Sequence, residues 1–273
     1  MRELERQQAL ARFLTDPLAR QAVLDHAPAD GPAWPDRRDI ADRLRELDQP
    51  RVSMFSRLLL ANRVAKIADV LPLTAWALGE RLPALVEEYS LRSPVLDPKK
   101  RHQALAFAGF LQKEAERTAA PGPAYLPDVL AYETALVHIR LAPASAPAPH
   151  LSLVTADLHR IRPRLAPSAR LLALDHDIEE IVACHDRGEP PPPPSPRRTL
   201  LLLQGMPDGS VRQDETNQAV AMLVEACTGS RTLAVAVDEL AARLSPSPPP
   251  ELLAAHCLDL CTSLAERGAI TLR

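Results

Sequence analysis

Three short clusters in this 273-residue chain carry side chains able to do chemistry. His256-Cys257, with Cys261 one helical turn on, offers an imidazole and two thiols, a partial zinc set. A structural zinc site takes four ligands, and no second pair stands at suitable spacing. Cys257 and Cys261 share a helical stripe with Leu260 and Leu264, so the expectation is that they are small buried hydrophobes. Asp175-His176-Asp177 and Cys184-His185-Asp186 look like fragments of a ligand set or a Cys–His pair, and are expected as polar residues around a strand end and a helix end. The chain contains no glycine-rich phosphate loop, no G-x-S-x-G elbow and no H-E-x-x-H. The expectation is therefore no catalytic residue, no metal ligand and no cofactor in this chain.

The elements that must position these residues fall into two regions. Residues 1–140 read as nearly all helix. Leu4, Ala9, Leu10, Phe13 and Leu14 form one stripe, and Asp16 is placed to cap a second helix starting at Pro17. Ile40, Leu44 and Leu47 mark a third helix, and Met54, Phe55, Leu58, Leu59, Val64, Ile67 and Val70 a fourth ending before Pro72. Trp76 to Tyr89 reads as one helix, Leu105 to Leu111 as another, and Tyr125 to Arg140 as the last. Trp34 and Trp76 can anchor either a partner interface or the core of their own domain.

Residues 141–149, rich in proline and alanine, read as a linker, and residues 150–273 as a second domain with a proline-rich loop at 189–196. In that domain Ser168–Asp175 and Arg198–Met206 look like strands. Asp208-Gly209 is a hairpin signal that returns Val211-Arg212-Gln213-Asp214 as a third strand. Helices follow over Thr216–Cys227, Leu233–Leu244 and Pro249–Arg267, with Gly229 and Gly268 as stops, and Ile270-Thr271-Leu272 reads as a short closing strand. The expected fold class is α+β, mostly α: an N-terminal helical domain, then a winged-helix-like domain with a small three-stranded antiparallel sheet and three helices.

Composition narrows the partners. Residues 150–273 hold 12 arginines, no lysine and 16 carboxylates, a net charge of −4, against −3 for the whole chain. A winged helix that binds DNA needs cations for phosphate, yet the last helix carries Glu251, Asp259 and Glu266 against Arg267. A DNA-binding transcriptional regulator is the alternative reading, disfavoured by this balance. The charged start and the lack of a long apolar run lead to the expectation of a cytoplasmic chain with no membrane or nucleic-acid partner.

One stretch is more distinctive. In Ala124-Tyr125-Leu126-Pro127-Asp128-Val129-Leu130-Ala131-Tyr132-Glu133, Pro127 suits a first helical turn and Asp128 places a negative charge at the positive end of the helix dipole. The run resembles the "YLPDLARYE" signature of the accessory partner proteins of multinuclear non-haem iron-dependent oxidative enzymes in ribosomal peptide natural-product biosynthesis. Leu10–Arg20 is similar to their opening "F-L-T-D-x-x-L-R", Arg51–Leu59 to their "R-x-x-L" helix, and Leu71–Glu80 to "y-P-x-t-x-x-L-L-G-e". Leu71 and Leu85 stand where that pattern usually has an aromatic. Arg198–Leu272, including Asn217–Thr232, resembles the peptide-recognition domains typified by the pyrroloquinoline-quinone pathway chaperone.

The resemblance implies an N-terminal helical domain of the DNA-binding type and a C-terminal peptide-recognition domain. It also implies a heterodimer with an iron-dependent oxidative barrel enzyme and a bound precursor peptide, with the iron in the enzyme. An extended leader is expected to add to the sheet edge at Val211, Arg212, Gln213 and Asp214. The flank of the last helix, Leu253, His256, Leu260 and Leu264, is expected to line the groove, and Tyr125, Leu126, Asp128 and Tyr132 to face the enzyme.

Overall fold

The computed structural model describes residues 2–25, 38–92, 99–117, 122–143, 154–190, 196–244 and 248–273. Trp34, the greater part of the 141–149 linker and residues 191–195 of the proline-rich loop lie outside them. No described helix is long and apolar enough to cross a membrane. The fold is α+β, mostly α, and divides into two compact units, Met1–Ala124 and Tyr125–Arg273.

The first unit is helical: α1 (Arg2–Thr15), α2 (Pro17–Leu24), α3 (Arg38–Arg45), α4 (Gln49–Val70), α5 (Pro72–Leu78), α6 (Leu82–Arg92) and α7 (Lys100–Arg117). Asp16 caps α2 by accepting from the Ala19 amide at 3.0 Å, and Asp48 caps α4 through the Arg51 amide at 3.2 Å. The single helix expected from Trp76 to Tyr89 is broken at Gly79, whose φ of 52° is left-handed and leads into a 3₁₀ turn before α6. Ala9, Phe13, Val23, Ile40, Leu44 and Val52 form one core cluster. A second packing centre has Tyr89 edge-on to Phe107 at 5.6 Å. Buried Arg63 lies 4.4 Å over the Tyr89 ring and donates to Ser90 Oγ at 2.7 Å, so the charge is both stacked and hydrogen-bonded.

Two expected stripes are corrected here. Leu4 and Leu10 on α1, and Met54, Phe55 and Leu58 on α4, are exposed. The inward line of α4 is Val52, Arg63 and Ile67. Apolar residues are so dense along α4 that periodicity alone gives two faces, and burial chooses the one containing an arginine.

The second unit opens with α8 (Leu126–Leu141), followed by a 3₁₀ turn at Thr155–His159. Then come β1 (Pro163–Leu165), β2 (Ala169–His176), α9 (Ile178–Asp186), β3 (Pro196–Gly205), β4 (Val211–Thr216), α10 (Gln218–Ala226), α11 (Leu233–Arg243), α12 (Pro250–Glu266) and β5 (Ile270–Leu272). β2, β3 and β4 form an antiparallel sheet in that order, with Leu201 opposite Leu172 and Glu215. The closing strand expected at 270–272 is present, but it pairs with β1 in a separate two-stranded sheet, Leu165 opposite Ile270. Gly209, at φ 84°, makes the hairpin, and Met206 donates to the Ser210 carbonyl at 2.8 Å.

The leucine run of β3 has a direct cause: the strand is covered on both faces. Leu203 packs with Ala135 and Ile139 of α8, while Leu202 packs into the core built from α10, α11 and α12. The helix at 126–141, expected to close the N-terminal domain, therefore sits on the sheet of the second unit. Its sequence is apolar nearly all round, so no stripe in it indicates which layer it joins.

α8 crosses β3 closely. A Cβ on Gly205 would stand 2.8 Å from Ile139 Cγ2 and 3.4 Å from Ser168 Cβ. Gly205→Ala is expected to cost about 1–3 kcal/mol through overpacking, seen as a lower urea midpoint at unchanged slope.

Candidate functional site

The order of the main sheet leaves β4 at an edge. The Gly205 amide bonds the Ser168 carbonyl at 2.8 Å and the Met206 amide bonds Ser210 at 2.8 Å, so main-chain groups of alternate β3 residues point to opposite neighbours. With Gln204 opposite Arg212 and Leu202 opposite Asp214, the main chain of Arg212, Asp214 and Thr216 points into the ladder. That of Val211, Gln213 and Glu215 points outward, and among the described residues no main-chain hydrogen bond reaches it.

The side chains of the same strand are held from both faces. On the α8 side, Tyr132 Oη donates to Gln213 Oε1 at 3.1 Å, and Gln213 Nε2 donates to Glu179 of α9 at 3.3 Å. Arg197 links Glu215 at 3.2 Å to Asp177 at 2.8 Å. Asp177 also caps α9 through the amides of Glu179 and Glu180. The Arg197 hydrogen bond, aided by these amides and opposed by burial, holds the Asp177 carboxyl below the ordinary carboxylate range. On the other face Arg212 and Asp214 pair at 2.9 Å, and Arg267, just past α12, reaches Asp214 at 3.2 Å. Arg267 also accepts a bond from Gln204 Nε2 through its carbonyl. The result is a fixed strand whose outer N–H and C=O groups are free, the arrangement strand addition uses.

The last helix contributes differently from expectation. Leu253 and Leu264 are buried in the core with Leu233, Leu240 and Cys261, and Leu260 packs against the same core. They do not form an open flank. His256 is exposed, and Arg267, just past the end of α12, reaches Asp214 of the edge strand. Helical spacing identifies an apolar stripe on α12 but does not say whether the stripe fills a core or lines a groove.

The residues expected to face an enzyme are also placed inward. Tyr125, Leu126 and Asp128 are buried within the chain, and Tyr132 is half-buried against the edge strand. Asp128 Oδ2 accepts from the amides of Asp175 at 3.0 Å and His176 at 2.9 Å, and lies 2.7 Å from His176 Nδ1. It joins the first turn of α8 to the end of β2. The histidine of Asp175-His176-Asp177 is thus paired with a carboxylate 48 positions away, not with its neighbours, and no local motif reveals this.

Cys257 and Cys261 are buried, as expected, and Cys227 at the end of α10 joins them. Burial, with a smaller contribution from Cys227, pushes Cys257 up to about 11. Cys261 is also raised, first by its hydrogen bond with Cys227 and then by burial. The raised Cys257 and Cys261 thiols are poorly suited to nucleophilic work, while the hydrogen bond with Cys261, opposed by burial, lowers Cys227. Among the described residues no group of three or more histidine, cysteine or carboxylate side chains is arranged to hold a metal ion. His185 stays beside Asp186 at 3.1 Å on the surface while Cys184 turns inward.

Neither a scan against protein-family models nor a search of curated proteins finds a match to this chain.

Proposed function

We propose that this chain is a non-catalytic accessory subunit. It binds the leader of a ribosomally made precursor peptide and pairs with an iron-dependent oxidative enzyme that modifies the peptide. The observation that carries the reading is the free outer edge of β4, with side chains pinned on both faces and the outward main-chain groups of Val211, Gln213 and Glu215 unpaired among the described residues. An extended peptide adds there as a fourth strand, taking affinity from main-chain bonds and register from side chains beside the strand. The resemblance of the Tyr125–Glu133 stretch and of Arg198–Leu272 to accessory and peptide-recognition domains supports the same reading. Holding the leader raises the effective concentration of the rest of the peptide at the enzyme's metal centre. The winged-helix DNA-binding reading finds less support, because the last helix presents Glu251 and Asp259 to solvent.

The test is co-purification of the untagged chain with the iron enzyme encoded beside it, followed by titration with the neighbouring short precursor peptide. A stoichiometric complex whose peptide affinity depends on this chain is the expected result. A chain that stays alone and ignores the peptide overturns the proposal.

A further inference from the structure

Among the described residues, the helices of the first unit leave an apolar surface exposed. On α4, Met54 and Phe55 are each 55% exposed and Leu58 is 57% exposed. Their spacing of three and four residues puts them on one face, away from Val52, Arg63 and Ile67. Three adjacent large apolar side chains more than half in water make one contiguous apolar patch, the kind of surface that partners bind.

The charges around the stripe state what fits it. From Gln49 to Ala68 the helix has no carboxylate, whereas Arg51 and Arg57 flank the stripe in the open. Arg51 is paired with the helix cap Asp48 at 3.2 Å, but Arg57 has no ion pair among the described residues. A second copy of the chain is a poor occupant. Two such helices meeting about a two-fold axis near Phe55 and Leu58 would bring Arg57 close to its own symmetry mate, like charge against like. The complementary surface is an apolar groove bordered by aspartates or glutamates on a different protein.

We infer that the Met54–Phe55–Leu58 face of α4 is where the chain docks its partner enzyme, through an apolar groove with an acidic rim. This rests on the accessory-subunit reading above and supplies the contact surface that the buried Tyr125, Leu126 and Asp128 do not. Docking through α4 and peptide capture at β4 use separate residues.

The experiment measures binding of the full chain to the iron enzyme encoded beside it, for the wild type, for Met54→Gln/Phe55→Gln/Leu58→Gln, and for Arg57→Glu. Glutamine keeps helix propensity and adds no charge. The triple variant is expected to keep its helical circular dichroism and its peptide affinity while its enzyme affinity falls by about 30-fold or more, the scale of losing a central apolar anchor. Arg57→Glu is expected to weaken binding and flatten its dependence on salt. Should the wild type bind the enzyme and the triple variant bind as well, the docking face is elsewhere and the accessory reading stands. Should the wild type bind the peptide but not the enzyme, both the pairing and the docking face are wrong. Wild-type self-association that the triple variant abolishes identifies a second copy as the occupant and overturns the inference. An unchanged Arg57→Glu affinity and salt dependence overturns the acidic rim.

Discussion

Proline at both Val211 and Gln213 is expected to abolish binding of the precursor peptide while the rest of the molecule stays folded. The outward amides of β4 belong to Val211, Gln213 and Glu215, and those facing β3 belong to Arg212, Asp214 and Thr216. Proline has no N–H, so the double substitution removes two of the three outward donors and leaves the inner ladder its own donors. Edge strands tolerate proline for this reason. Each lost donor faces an incoming carbonyl that is then buried unpaired, at about 1–3 kcal/mol each. Titration calorimetry with the precursor peptide checks the loss. Arg212→Pro is the contrasting variant: it removes a donor from the β3–β4 ladder and is expected to lower the unfolding midpoint. Full-strength peptide binding by the Val211→Pro/Gln213→Pro protein would rule out strand addition at this edge.

Asp128→Ala is expected to destabilise the second unit by about 2–4 kcal/mol, among the larger effects a single substitution produces. One carboxylate oxygen serves the amides of Asp175 and His176 and the His176 ring, and alanine leaves the two amides without that acceptor. His176→Ala removes only the ring contact and is expected to cost about 1 kcal/mol. Amide hydrogen exchange reads the site directly: the Asp175 and His176 amides should lose protection in Asp128→Ala and keep most of it in His176→Ala. Unchanged exchange at both amides would show that this carboxylate does not hold α8 to the sheet.

The strands were legible for physical reasons. A four-leucine run is the pattern of a strand covered on both faces, and Asp208-Gly209 supplies the left-handed residue its hairpin requires. Gly268, at φ 79°, ends α12 where its stop was expected, its amide bonding the Ala265 carbonyl. By contrast, α10 is capped at Cys227, and Gly229, at φ 78°, lies beyond it with its amide on the Pro163 carbonyl of β1. The place of α8 was not legible, because burial on most of its circumference erases the stripe that assigns a helix to a layer. Leu253 and Leu264 illustrate the same limit on α12, where core and groove flank share one periodicity. The edge strand was readable from order alone, whereas its support by Tyr132, Arg197 and Arg267 depends on contacts 53 or more positions apart in two of the three cases. β1 is three residues long and begins with proline, too short for any alternation to appear.

The pairing of β1 with β5 also bears on the order in which the second unit comes together. Val211–Thr216 can meet β3 across a short hairpin, a closure that takes about microseconds. Pro163–Leu165 must find Ile270–Leu272 across about a hundred intervening residues, and such distant closures are slow because chain entropy is lost before contacts repay it. The open edge of β4 is therefore expected to form before the β1–β5 pair closes, with β4 amides gaining protection first in pulsed hydrogen exchange. Edge-to-edge association between nascent molecules would compete with folding in that interval, and under the proposed function a peptide bound early to β4 would also guard the strand.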